Sequence, residues 1–184
     1  EIAERVRYHL TYCLFVRLRL FFVSTAFVLI LGVIVVMLTK VMPSQVGDPM
    51  GWPGVLHYPL GIALSFNILF NLLMAAGTDP GSPQSISKSV LEQLDAEGDV
   101  GSDDFRPNFC KICSFVKPAR THHCSTCQRC VLRMDHHCPW LGQCVGLYNY
   151  RYFMLFMWNL LLGCIYCISL TVWAILDVIW EDSG

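Results

Sequence analysis

Three long stretches of this 184-residue chain carry no charged side chain: Leu20 to Thr39, Leu56 to Ala76 and Tyr152 to Leu176. About 20 helical residues cross roughly 30 Å of hydrocarbon, so each stretch is read as a transmembrane helix. A buried helix of a soluble core would account for one such window but not for three. Between the windows the pattern changes. Residues 41–54 hold Pro43, Gly47, Pro49, Gly51, Pro53 and Gly54, which is turn chemistry. From Ser82 to Asp104 the chain offers little to bury. That stretch is read as a linker with one short helical turn around Val90 to Leu94, its acidic run solvated.

Composition agrees with a membrane class: 54% of residues are apolar and the mean hydropathy is +0.48. Loops on the cytosolic side carry the excess of Lys and Arg. Of the thirteen such residues, Arg5, Arg7, Arg17 and Arg19 precede the first helix, and Lys88, Arg106, Lys111, Lys117, Arg120, Arg129, Arg133 and Arg151 lie between the second and third. Only Lys40 lies elsewhere. The amino terminus and the 77–151 segment are therefore expected in the cytosol. Nothing near the amino terminus resembles a cleaved signal peptide, and a chain that begins at Glu1 without a methionine is expected to be a trimmed piece or fragment.

Polar residues inside and beside the windows have plain readings. Tyr8, Tyr12 and Phe15 lead into the first helix as an interfacial segment, and Trp52, His57 and Tyr58 sit where an aromatic belt would form. Asn67 and Asn71 share one face of the second helix. Amides in lipid are expected to hydrogen-bond to a neighbouring helix, the alternative being a polar entrance to a site on the cytosolic side.

The chemistry concentrates between Cys110 and Cys144, where seven cysteines (Cys110, Cys113, Cys124, Cys127, Cys130, Cys138, Cys144) and four histidines (His122, His123, His136, His137) fall. Clustered C-x2-C spacings on the reducing side of a membrane point to metal and not to disulfides. Structural zinc takes four nitrogen or sulfur ligands. Eleven candidates can fill two such sites and leave three groups over. Cys127 can pair with Cys124 or Cys130, and a single zinc with spare thiols is the plainer alternative. A segment this poor in aliphatic residues draws its stability from the metal. A nucleic-acid zinc finger is disfavoured by the flanking spans, and a RING-type cross-brace by the Cys138 to Cys144 spacing. If the chain is extended at Cys138, His136 and Cys138 point one way and His137 the other. His137 then faces a metal and His136 the thiol, and His123 is preferred over His122 on weaker grounds. Contact between Asp135 and His136 requires a turn there.

These residues resemble the DHHC family of protein S-acyltransferases, which attach palmitate to cysteines of membrane-associated proteins. The likeness runs from Cys110 through Arg120, His122-His123-Cys124, Arg129-Cys130-Val131 and Asp135-His136-His137-Cys138-Pro139-Trp140 to Cys144-Val145-Gly146, Asn149 and Arg151-Tyr152-Phe153, with Asp79-Pro80-Gly81 resembling a second family motif. The resemblance implies one zinc on Cys110, Cys113, His123 and Cys130, and another on Cys124, Cys127, His137 and Cys144. It makes Cys138 the nucleophile, His136 its base and Asp135 the residue that orients the imidazole. It implies acyl-CoA, palmitoyl-CoA in particular, as co-substrate. Its protein substrates would carry membrane-proximal cytosolic cysteines, and no nucleic acid is expected as a partner. The family's paired asparagines before the last cysteine are replaced by Gly142-Gln143, and its usual fourth span and Thr-Thr-x-Glu motif are not found before Gly184.

The expected fold is an all-α set of transmembrane helices, three present and a fourth apparently missing, with a zinc-stapled, β-hairpin-rich cytosolic domain. Its parts would be a cytosolic segment 1–19, helix 20–40, luminal loop 41–54, helix 55–77, cytosolic linker 78–109, cysteine-rich domain 110–150, helix 151–180 and luminal end 181–184. An endomembrane, Golgi or endoplasmic reticulum, is expected over the plasma membrane. Phe153, Phe156, Leu160, Gly163 and Cys167 recur at helical spacing and are candidates to line an acyl-tail site. Trp140 is a candidate cap for it, and Lys117, Arg120, Arg129, Arg133 and Arg151 are candidates to meet the CoA phosphates. The alternative is a truncated, catalytically inactive membrane-anchored zinc scaffold.

Overall fold

The computed structural model describes residues 2–83 and 109–182, and the expected turn around Val90 to Leu94 lies outside them. The chain divides into two compact units, one of residues 1–24 with 74–151, the other of 25–73 with 152–184. Four α-helices occur among the described residues: α1 (Ile2–Val36), α2 (Met42–Gln45), α3 (Trp52–Gly77) and α4 (Tyr150–Asp182). Three helical stretches, Leu20–Gln45, Trp52–Gly77 and Tyr150–Trp180, are long and apolar enough to cross a membrane.

The first helical run exceeds its expected 20–40 window in both directions, from Ile2 to Gln45. Its far end is not a loop because the chain passes Pro43 without leaving the helix. Proline has no N–H to bond four residues back. The ladder widens instead into a π-helical segment, Met37–Val41, where the Met42 N–H reaches the Met37 carbonyl. The turn between the first two spans is thereby shortened to residues 46–51.

In the unit of residues 25–73 and 152–184, large apolar side chains such as Val28, Phe66, Leu161, Ile165 and Trp173 are exposed, as a lipid-facing surface requires. Among the described residues the bonds of Asn67 and Asn71 do not run to another helix. Each amide donates to a carbonyl one turn back in α3, Asn67 to Ala63 and Asn71 to Asn67, both at 2.8 Å. The helix itself satisfies the donor, as Ser, Thr and Asn side chains can do wherever an i−4 carbonyl is in reach. His57, expected in an aromatic belt, shares a 3.0 Å hydrogen bond with the Tyr166 hydroxyl of α4. A Cβ on Gly163 would lie 3.0 Å from Ile68, so glycine lets α3 and α4 approach closely there. Beside that contact is an apolar cavity of ≈ 260 Å³ whose wall includes Leu29, Leu64, Leu160, Gly163 and Cys167. Of the five residues expected to line a tail site, Leu160, Gly163 and Cys167 reach this cavity, whereas Phe153 and Phe156 do not line it.

Among its described residues the other unit holds three antiparallel hairpins: β1 (Phe109–Cys110) with β2 (Phe115–Val116), β3 (His122–Cys124) with β4 (Arg129–Val131), and β5 (His136–Cys138) with β6 (Gln143–Val145). Strands this short have little stability alone. They close around Val131, Leu132, Leu141 and Val145, all buried. Asp79-Pro80-Gly81 locks onto them: the Gly81 carbonyl accepts from Leu132 N at 3.1 Å and the Pro80 carbonyl from Tyr148 N at 3.3 Å.

Candidate metal centres and active site

Each hairpin turns at a cysteine, and Cys110, Cys124 and Cys138 are spaced fourteen residues apart. In the first two the next turn residue but two is also cysteine. Its backbone N–H points at the first sulfur, Cys113 N to Cys110 Sγ at 3.4 Å and Cys127 N to Cys124 Sγ at 3.3 Å. The chain then leaves the turn through a left-handed residue, Ser114 (φ 58), Gln128 (φ 54) or Gly142 (φ 64). This repeat is visible in the sequence once fourteen-residue offsets are tried.

The hairpins interlock through their donors. The pair on the first turn meets His123 and Cys130 of the second hairpin, and the pair on the second turn meets His137 and Cys144 of the third. Each set of four donor atoms lies within 4.8 Å of one another. In the first set, His123 Nδ1 is 3.7 Å from Cys110 Sγ, 3.3 Å from Cys113 Sγ and 3.9 Å from Cys130 Sγ. In the second, His137 Nδ1 lies 3.6, 3.4 and 3.6 Å from Cys124, Cys127 and Cys144, and Cys127 Sγ is 3.6 Å from Cys144 Sγ. A tetrahedral zinc with its usual bond lengths separates its ligands by about 3.5–3.8 Å. Both sets fit a zinc ion.

The thiols behave as a set that calls for a cation. Hydrogen bonding with Cys144 pulls Cys127 down to about 5. The same contact with Cys127 pushes Cys144 well above the thiol range, and burial pushes Cys130 up to about 12. One thiolate is welcome and the next is resisted. A divalent ion removes that resistance, because a coordinating thiol is deprotonated outright.

The third hairpin departs from the other two. Leu141 stands where Cys113 and Cys127 stand, and its N–H donates to the Cys138 carbonyl at 3.2 Å. Among the described residues no four-donor cluster includes Cys138. Its side chain is buried, and strand alternation puts it on the same face of β5 as His136. Asp135 precedes the strand, with its N–H on the Val145 carbonyl, and its Oδ2 is 2.8 Å from His136 Nδ1. The contact forms without a turn at Asp135 itself: the turn residues are 132–133, and Asp135 lies just before the strand. Trp140 rests edge-on against Phe22 of α1, ring centroids 5.4 Å apart. Arg129, expected at the CoA phosphates, ion-pairs with Asp79 at 2.8 Å.

Two buried amides were not assigned a role by sequence reasoning. Gln143 Nε2 donates to the carbonyls of Ala75, Ala76 and Thr78 at 2.9, 3.0 and 2.9 Å, at the end of α3. Asn149 Nδ2 donates to Ala75 and Cys144 carbonyls at 3.2 and 3.0 Å, and its Oδ1 accepts from Gly146 N at 2.8 Å. No local signal marked them: β6 is buried at all three positions, so alternation does not single out Gln143, and Asn149 lies in the turn before α4.

A sequence profile described as DHHC palmitoyltransferase matches residues 103–183, the stretch that contains all three hairpins. The chain carries a DHHC palmitoyltransferase-family domain. The chain is 45% identical over 104 residues to palmitoyltransferase ZDHHC20-A of Danio rerio, an alignment covering 56% of this chain and 28% of that protein. It is 49% identical over 104 residues to palmitoyltransferase ZDHHC15 of Xenopus laevis, covering 56% and 30%. A longer alignment, 35% identical over 156 residues, covers 73% of this chain and 50% of probable protein S-acyltransferase 14 of Arabidopsis thaliana. The chain thus spans at most half the length of these relatives. In the DHHC domain the two Cys3His sets are the residues that would hold zinc, and zinc bound there supplies folding free energy to hairpins too short to stand alone.

Proposed function

We propose that the chain is the acyl-transfer part of a protein S-acyltransferase, with Cys138 as nucleophile and His136 as base. The observation that carries this reading is the division of donors: eight side chains form two complete sets, and Cys138 stands outside both beside an Asp135–His136 pair. A thiol of ordinary pKa near 8.5 needs activation. Two Cys3His zinc sites carry a formal −1 each, and that charge disfavours a further thiolate nearby. A base is therefore needed, and the carboxylate of Asp135, 2.8 Å from Nδ1, favours the His136 tautomer that carries its proton on Nδ1 and can take another at Nε2.

In the first step His136 takes the Cys138 proton as the sulfur attacks the thioester carbonyl of a long-chain acyl-CoA, palmitoyl-CoA being the expected donor. The carbon–sulfur bond to CoA breaks and the CoA thiolate leaves with a proton. In the second step a cysteine of a membrane-associated protein gives its proton to the same base and attacks the acyl-Cys138 thioester, and Cys138 is released as a thiol. Splitting the transfer in two is ordinary nucleophilic catalysis.

The membrane setting suits the substrate. Burying a sixteen-carbon chain at about 0.8 kcal/mol per CH2 amounts to something on the order of 10 kcal/mol. The apolar cavity walled by Leu160, Gly163 and Cys167 is the proposed seat of the tail. The excess of basic residues around the DHHC domain supports a cytosolic position for it by the positive-inside rule, with an endomembrane as the proposed residence.

The test is acyl loading of the purified chain with palmitoyl-CoA. Mass spectrometry is expected to find a hydroxylamine-labile adduct on Cys138, and His136→Ala to lower loading by about 10²-fold or more while bound zinc is unchanged. An adduct on another cysteine would remove Cys138 from the reaction. Full loading of His136→Ala would remove His136.

A further inference from the structure

Antiparallel register pairs Cys138 with Gln143 across β5 and β6. Directly opposed residues project from the same face of a hairpin, and both side chains here are buried, at 8% and 6% exposure. Gln143 is the cross-strand neighbour of the thiol. Its amide is also the cap of α3. A helix leaves its last carbonyls without intrahelical donors, and α3 ends at Gly77. The Gln143 Nε2, reaching back from β6, supplies Ala75, Ala76 and Thr78 together. With two hydrogens for three acceptors, one hydrogen is shared.

The two metal sets and the amide hold different things. His137 and Cys144 close the hairpin onto the second donor set, which fixes its internal shape. The Gln143 amide fixes where that hairpin stands against the end of a membrane-length helix. Both anchor points and the thiol lie in the same compact unit.

We propose that Gln143 is a positioning residue for Cys138, holding the thiol at a set place beside the carboxyl-terminal end of α3, an inference that rests on the acyl-transfer reading above. In a reaction between a thiol in the protein and a thioester whose tail is in the bilayer, alignment is a large part of the rate. Displacement of a reacting group by about 1 Å can cost about 10²-fold. Gln143→Leu keeps the volume and removes the donors. Gln143→Asn keeps the amide on a stem one methylene shorter.

The experiment is single-turnover loading of the full chain in lipid nanodiscs with palmitoyl-CoA, for wild type, Gln143→Leu and Gln143→Asn. Zinc content is measured alongside, as is alkylation of Cys138 by iodoacetamide, a small reagent that needs no alignment with the bilayer. Gln143→Leu is expected to retain both zinc ions and its alkylation rate. Its saturating loading rate should fall by about 10- to 100-fold with the half-saturating acyl-CoA concentration within about twofold. Gln143→Asn should recover most of that rate. Unchanged loading of Gln143→Leu overturns the inference alone, and so does loading lost in step with zinc, which would leave Gln143 a structural cap. Absence of loading in the wild type overturns the acyl-transfer reading and this one with it.

Discussion

The second and third hairpins share a backbone and differ in fate. Both pair three residues against three, both begin their turn at a cysteine after a His-His pair, and both leave it through a left-handed residue. In the second, Cys124 is drawn into a metal set by Cys127 on its own turn and by His137 and Cys144 of the next hairpin. In the third, Leu141 replaces the turn's second thiol, and α4 follows where another hairpin would have to supply a histidine and a cysteine. Whether a cysteine on this turn joins a four-donor set is thus decided by its partners and not by its own geometry, and the proposed nucleophile is the one left out.

Serine substitution at the two equivalent positions breaks that comparison most severely. Cys124→Ser removes one donor of a complete set, and structural zinc in small domains carries about 10–16 kcal/mol of apparent binding free energy. Bound zinc is expected to fall from two ions per chain to one, with all loading lost. Cys138→Ser is expected to abolish loading while both ions stay. Elemental analysis beside the loading assay reads both. Two ions retained by Cys124→Ser, or one lost from Cys138→Ser, would exchange the roles assigned to the two hairpins.

A smaller effect is expected where the hairpins touch each other. A Cβ on Gly146 would lie 2.7 Å from Val131 Cγ1, 2.9 Å from the Leu132 carbonyl and 3.0 Å from Pro80. Gly146→Ala therefore forces the third hairpin away from the second, at about 1–3 kcal/mol for overpacking. Thermal denaturation should show a lower midpoint with zinc content intact. An unchanged midpoint would mean that the two hairpins are not pressed together.

Much of this was legible in the sequence, for identifiable reasons. Charge-free runs of spanning length and C-x2-C spacings are local signals, and they foretold three helices and a metal-binding cluster, whereas the division into two donor sets came from the family resemblance. The strand alternation that separates His136 from His137 is local too. What escaped was carried by contacts distant in sequence: Gln143 on Ala75, Asn149 on the same carbonyl, and Asp79 on Arg129. The extension of the first helix through Pro43 escaped for another reason, since a proline marks a turn unless the ladder can widen around it. Asn67 and Asn71 were misread because a helix can satisfy its own amides, which no hydropathy pattern distinguishes from a bond to a neighbour.

The smallest effect tests what joins the second hairpin to the end of α3. Partial burial pulls the Asp79 carboxyl upward, but hydrogen bonds from Arg129 and from the Gly81 N–H outweigh it and leave its pKa below the ordinary value. A carboxylate with a lowered folded pKa stabilises the fold at every pH above its unfolded value of about 3.9 and loses that contribution only as pH falls through the folded one. The carboxylate is exposed and the guanidinium only half-buried, so the pair is worth about 0.2–1 kcal/mol. Asp79→Asn should lower the midpoint slightly at pH 7, by the same amount at pH 5, and by less as added salt screens the pair. Thermal melts of both proteins across that range provide the measurement, since any release of zinc on acidification acts on the two alike. A gap that closes between pH 7 and pH 5 would place the folded pKa above the ordinary carboxylate value, and the guanidinium of Arg129 would no longer be what holds the carboxyl down.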